Sequence, residues 1–177
     1  MRLHADGHVT GYASLFGQPD LGRDIVAPGA FAESLRARGP AGVRMLFQHD
    51  PAEPVGIWLA IREDARGLRV AGRLNPAVRR ARELDALIRQ GALDGLSIGF
   101  RTRSAAPDRA GFRHLRAVDL WEISLVTFPL QPGARLDAPS VSRCATSPGG
   151  SRPPASPERE HDARRDQRPD ERPDEPV

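Results

Sequence analysis

The chain has 177 residues, a formal net charge of +3 at pH 7, 39% hydrophobic residues, one cysteine (Cys144) and 26 basic residues that are all Arg. A single cysteine excludes an internal disulfide and suggests no metal cluster, and no apolar run approaches the roughly 20 residues of a membrane-spanning helix. The Arg are scattered and not interleaved with aromatics, so they read as codon bias rather than a specific nucleic-acid surface; with no apolar leader at the N-terminus, the expectation is a cytoplasmic chain with no membrane contact.

Val9 to Phe16 mixes aromatic and β-branched residues and stops at Gly17-Gln18-Pro19-Asp20, which reads as a first strand followed by a turn. Ile25-Val26 is a short second strand. Pro28 to Leu35 reads as a short helix, with Phe31 and Leu35 four apart, ending before Gly39-Pro40. Val43 to Gln48 is a buried strand carrying His49 at its end. Val55–Ile61 and Leu68–Leu74 are two more strands, joined as a hairpin through Glu63-Asp64-Ala65-Arg66-Gly67.

Asn75-Pro76 supplies an N-cap and a proline for a first helical turn, and Ala77, Ala81, Leu84 and Ile88 line one face of a helix that Gly91 would end. Leu96–Thr102 is a strand carrying Ser97, Ser104–Gly111 is a loop, and Phe112–Val118 and Leu120–Phe128 are strands. About seven strands and two helices, without an internal repeat, predict a β-rich α+β fold, a small barrel or twisted sheet with helices packed outside.

From about residue 138 the composition changes to Ala, Pro, Ser, Arg, Asp and Glu, and after Val141 no Val, Ile, Leu or Phe occurs until Val177. Such a stretch has too little apolar surface to offset its ordering entropy, so a disordered tail over residues 138–177 is expected beside a domain over residues 1–137.

Three segments set one polar, chemically competent side chain in an apolar strand: His49 after Leu46-Phe47-Gln48, Ser97 between Leu96 and Ile98, and Glu122 between Trp121 and Ile123. A buried polar group left unpaired costs about 1–3 kcal/mol, and these three can satisfy one another as a Ser–His–carboxylate set, the arrangement of a serine hydrolase. Each also has a structural reading: Ser97 bonded to backbone, His49 with an ordinary strand-end hydrogen bond, Glu122 in an ion pair with Arg. Gly95-Leu96-Ser97-Ile98-Gly99 matches the Gly-x-Ser-x-Gly string, but it enters a strand after a helix, the reverse of the α/β-hydrolase elbow. If the strand of Glu122 is regular, Glu122 shares a face with Ser124 and Val126, opposite Trp121, Ile123 and Leu125.

Six stretches occur in an order similar to that of the prohead (capsid maturation) serine proteases of HK97-like tailed phages and related gene transfer agents: Gly11-Tyr12-Ala13-Ser14-Leu15-Phe16-Gly17, Pro28-Gly29-Ala30-Phe31, Leu46-Phe47-Gln48-His49-Asp50, Glu63-Asp64-Ala65-Arg66-Gly67-Leu68, Gly91 to Phe100, and Leu120 to Pro129. The resemblance covers roughly residues 9–136. It implies a small antiparallel β-barrel surrounded by helices, as in the herpesvirus assembly proteases, with His49 and Ser97 as the matched catalytic pair. For the third member, herpesvirus relatives use a second His and the phage branch an acid; Glu122 is the matching position, His114 is the alternative, and Asp50 is poorly placed to reach the ring of its neighbour. The implied activity is a serine endopeptidase without a cofactor. It would act inside a procapsid on the scaffolding segment of the major capsid protein, and on itself, with a homodimer as a further expectation. The competing reading is a catalytically silent capsid-assembly or scaffold-binding protein of the same fold. Arg101 and Arg103, after the Ser97 strand, are either electrostatic contributors or solvated cations.

Overall fold

Among the described residues, apolar residues at strand and helix spacing build seven strands and two α-helices: β1 (His8–Leu15), β2 (Asp24–Val26), α1 (Ala32–Arg38), β3 (Arg44–Phe47), β4 (Asp50–Glu63), β5 (Gly67–Leu74), α2 (Arg79–Arg89), β6 (Gly95–Pro107) and β7 (Arg113–Val126). The structure, a computed structural model, describes residues 7–138. The expected tail, beyond its first residue, lies outside the described residues, as do His4, Cys144 and His161.

All seven strands join one sheet. β1 pairs with β5, β5 with β4 and β4 with β3, all antiparallel. β3 then runs parallel to the C-terminal part of β7, which pairs antiparallel with β6 along nearly its whole length. The sheet curls, and the stretch 134–137 bridges its two sides: Arg135 pairs with Gly95 of β6 and Leu136 with Gly11 of β1. Tyr12 N–H donates to Arg135 O at 3.0 Å, and Leu96 N–H to Ala134 O at 2.9 Å. Gly11 permits the approach, since a Cβ there would lie 2.8 Å from Leu136 Cα. The result is the β-rich α+β barrel with flanking helices that the sequence predicts, with parallel pairing confined to the edge of β7.

That edge carries two strands with a gap between them. β2 covers Arg113–Leu115 and β3 covers Glu122–Leu125. The α1 region fills the gap: Val118 N–H donates to Ala30 O at 2.9 Å and Leu120 N–H to Ser34 Oγ at 2.8 Å. Backbone groups buried without partners are costly, so the buried Ser34 acts as a piece of missing strand. Inside, Leu68, Leu96, Leu115, Leu120, Ile123, Leu125 and Val55 are fully enclosed.

Several expected boundaries move: α1 begins at Ala32 and not at Pro28, and β4 begins at Asp50 and not at Val55. The helix expected from Asn75 begins at Arg79, because Val78 is extended and Asn75 instead closes a turn, its Oδ1 accepting Ala77 N–H at 3.0 Å. Its C-terminus is as predicted: Gly91, at φ +72°, donates to Ile88 O and Ala92 N–H donates to Leu87 O, which is a Schellman closure. The expected Ser104–Gly111 loop shortens, since β6 continues to Pro107, and the two expected strands after it are one. Bulges reconcile the phases: Gly99 pairs with Glu122 but Phe100 with Leu120, leaving Trp121 as the extra residue. Trp121 is therefore half exposed instead of sharing the inner face with Ile123 and Leu125.

Candidate active site

His49 does not end a strand; it sits in a two-residue turn. Phe47 and Asp50 pair across the β3–β4 hairpin, leaving Gln48 and His49 as a two-residue loop, both at positive φ (53° and 60°). A type I′ turn demands that geometry and normally uses Asn and Gly; for other L-residues the left-handed region costs on the order of 1–2 kcal/mol each. Hydrogen bonds to the end of β7 and just beyond it hold the strained tip. Gln48 N–H donates to Leu125 O at 3.0 Å, Gln48 Nε2 to Thr127 Oγ1 at 2.8 Å, and His49 N–H to Ser124 Oγ at 3.1 Å.

The sheet register brings the other groups under this turn. On the β6–β7 ladder Ser97 stands opposite Ser124 and Gly99 opposite Glu122; on the β3–β7 ladder Leu46 stands opposite Ser124. Directly opposed residues share a face, as do alternate residues of one strand. Ser97, Gly99, Glu122 and Ser124 therefore occupy one face, the outer one, since Leu96, Ile123 and Leu125 between them belong to the core.

On that face Glu122 Oε1 lies 2.6 Å from His49 Nδ1 and Oε2 accepts Ser124 Oγ–H at 2.6 Å. The Glu122 side chain is 13% exposed and that of His49 44%, so the pair sits at the surface with its acid end sheltered. The Glu122 hydrogen bond raises the His49 pKa above the ordinary 6.5, against the opposing pull of partial burial. With Nδ1 turned to the carboxylate, Nε2 is the ring nitrogen left for a proton shuttle.

Ser97 is buried to 6% exposure between Leu96 and Ile98. Among the described residues no hydrogen bond joins Ser97 Oγ to the His49 ring; such bonds tighten in complexes with substrate. The structure thus brings His49 and Glu122 into direct contact and sets Ser97 on the same face, opposite the serine that binds both. His114 is elsewhere: its Nε2 lies 2.9 Å from Asp108 Oδ2, eight residues along β7 from Glu122, roughly 25 Å at strand rise. Asp50 caps its own turn through Ala52 N–H. Arg103 pairs with Asp119 at 2.9 Å, alongside Arg38 and the Trp121 indole. Among the described residues no group of three or more His, Cys, Asp or Glu is placed to hold a metal ion, and no helix is long and apolar enough to cross a membrane.

Two members of the arrangement carried no such role in the sequence. Ser124 had only its position two residues beyond Glu122, and Gly99 only a general permissiveness. In the fold Gly99 makes room for the carboxylate, because a Cβ there would lie 2.7 Å from Glu122 Cδ and closer still to Oε1.

Residues 2–147 match the family described as caudovirus prohead serine protease. The prohead protease of Enterobacteria phage HK97 is 38% identical over 137 residues, covering 75% of this chain; the chain spans 60% of that relative's length. Among solved structures, the capsid assembly protease of bacteriophage T4 superposes with a TM-score of 0.57 at 13% identity, over 69% of this chain and 82% of that one, a likeness of fold. The protease of Kaposi's sarcoma herpesvirus gives a TM-score of 0.48 at 15% identity, over 73% of this chain and 63% of that one.

Proposed function

The chain belongs to the caudovirus prohead serine protease family, and we propose that it is a serine endopeptidase acting through Ser97, His49 and Glu122. The observation that carries this reading is the 2.6 Å contact between His49 Nδ1 and Glu122 Oε1 on the sheet face that bears Ser97. Ser97 Oγ attacks the scissile carbonyl carbon while His49 Nε2 takes the hydroxyl proton. The resulting imidazolium is stabilised by the ionised Glu122, as in other triads. The tetrahedral adduct collapses with cleavage of the C–N bond, and His49 gives its proton to the leaving amine. Water, deprotonated by His49, then hydrolyses the acyl-enzyme and Ser97 recovers its proton.

The biological substrate in this reading is the scaffolding segment of the major capsid protein inside a procapsid, together with the protease itself, and the working unit is a homodimer. Family membership supports the capsid setting. A serine-directed fluorophosphonate followed by intact-mass analysis is the direct test. One adduct on the wild-type chain and none on Ser97→Ala is the expected result. No adduct on the wild-type chain would leave the catalytically silent assembly protein as the better account.

A further inference from the structure

A serine hydroxyl has one proton to donate and two lone pairs to offer, and Ser124 spends them on both halves of the His49–Glu122 pair. The residue is fully enclosed, at 0% exposure. Its Oγ accepts the backbone N–H of His49 at 3.1 Å and donates to Glu122 Oε2 at 2.6 Å, while Glu122 Oε1 meets His49 Nδ1. The three residues close a ring of hydrogen bonds that runs from the main chain of His49 to its own side chain.

The ring has a direction. The amide N–H of His49 can only donate, so Ser124 Oγ is its acceptor and the hydroxyl proton goes to Oε2. Oε2 is therefore an acceptor, and Oε1 is the carboxyl oxygen left to meet His49 Nδ1. In a Ser–His–carboxylate set Oε1 accepts a proton from Nδ1, which leaves the lone pair of Nε2 free, as a general base requires. The same hydroxyl tethers a turn whose two residues are both at positive φ, so it orients the ring and holds the backbone that carries it.

We infer that Ser124 is a positioning residue of this site: it does not meet substrate, but sets the tautomer and orientation of His49 through Glu122. The inference rests on the Ser97–His49–Glu122 reading and goes beyond it by assigning a role to a fourth residue. Displacement of a catalytic group by about an ångström can lower a rate on the order of 100-fold.

The test uses the full chain and a fluorophosphonate probe, read as the second-order rate of single-adduct formation. Ser124→Ala should lower that rate on the order of 10–100-fold, and Ser124→Thr, which keeps the hydroxyl, should restore it to within a few-fold. The proton NMR signal of His49 Nδ1–H is expected far downfield in the wild type because of its carboxylate bond, and should broaden or disappear in Ser124→Ala and return in Ser124→Thr. A merely structural role would not move that resonance in a folded variant. If Ser124→Ala fails to fold, Ser124→Cys, with a weak donor of similar shape, is read by the same two measurements. Wild-type labelling and an unchanged resonance in a folded Ala or Cys variant would overturn the inference. Ser97→Ala, run in parallel, separates the two claims: if it is still labelled, the catalytic reading fails; if it is silent while Ser124→Ala reacts normally, only the role of Ser124 fails.

Discussion

Gly99 faces Glu122 across the β6–β7 ladder, and the carboxylate lies over it in the volume that a side chain at position 99 would occupy. The acid can reach the His49 ring from a neighbouring strand because this one position lacks a Cβ. A glycine inside a strand weakens it, and here that cost makes room for the hydrogen bond to His49.

Gly99→Ala should therefore act on the site and not on the fold. Alanine is favoured over glycine in regular structure by roughly 0.5–1 kcal/mol, which offsets part of the strain, so the melting temperature should change little. The carboxylate has to move away, and fluorophosphonate labelling should fall about as far as in Glu122→Gln. Labelling at the wild-type rate would show that Glu122 can keep its bond from another rotamer.

Reactivity should rise with pH as His49 loses its proton, with a midpoint above 6.5, because the Glu122 bond holds the imidazole pKa up. Glu122→Gln removes the charge and the acceptor order, so the midpoint should fall towards or below 6.5 along with the rate. Labelling rates between about pH 5 and 9 would measure both.

Stability should follow the opposite course. A folded-state pKa raised above the unfolded value stabilises the fold fully below about pH 6.5, and the contribution disappears as pH rises through the folded value. Compared with His49→Asn, which tolerates positive φ, the wild type should show its largest melting-temperature advantage near pH 6 and a smaller one near pH 8.5. An advantage that grows with pH would mean that the ring is held in its neutral form.

The turn itself stores strain at Gln48, whose φ is 53°. Gln48→Asn places a residue that tolerates the left-handed region at the first central position of the turn, at the expense of an exposed bond to Thr127. An increase in unfolding free energy of about 0.5–1 kcal/mol is expected in denaturant titration. A loss of stability would show that the Thr127 bond outweighs the strain.

Ser34→Ala should be the reverse case, structural without being functional. It strips the acceptor from the buried Leu120 N–H where neither β2 nor β3 covers β7, at an expected loss of about 1–3 kcal/mol. Labelling of the folded fraction should be unaffected.

Much of this protein is legible in its sequence. The strands around Leu46, Leu96 and Ile123 are recognisable from apolar runs, and α2 ends just before Gly91, as the periodicity and the glycine imply. His49, Ser97 and Glu122 stand out because each is a polar group in an apolar stretch; the expected burial holds for Ser97 and partly for Glu122, while His49 is exposed on its turn. The string around Trp121 misleads in phase, since strict alternation puts it inside; one extra residue against β6 turns it outward.

Composition and periodicity determine which segments become strands and which side chains need a partner, because those are properties of a few consecutive residues. They do not determine which partner is met. Glu122 reaches His49 while His114 is left with Asp108, and that choice follows from the parallel register of β3 on β7, which aligns Leu46 with Ser124. Ser97 faces Ser124, and Gly99 clears a space for Glu122, through the antiparallel register of β6. The register of β3 on β7 joins segments some 75 residues apart and is set by packing the whole barrel. The tertiary structure therefore decided the roles of Ser124 and Gly99, and the left-handed turn that presents His49, because each depends on atoms that neighbouring residues in the sequence do not supply.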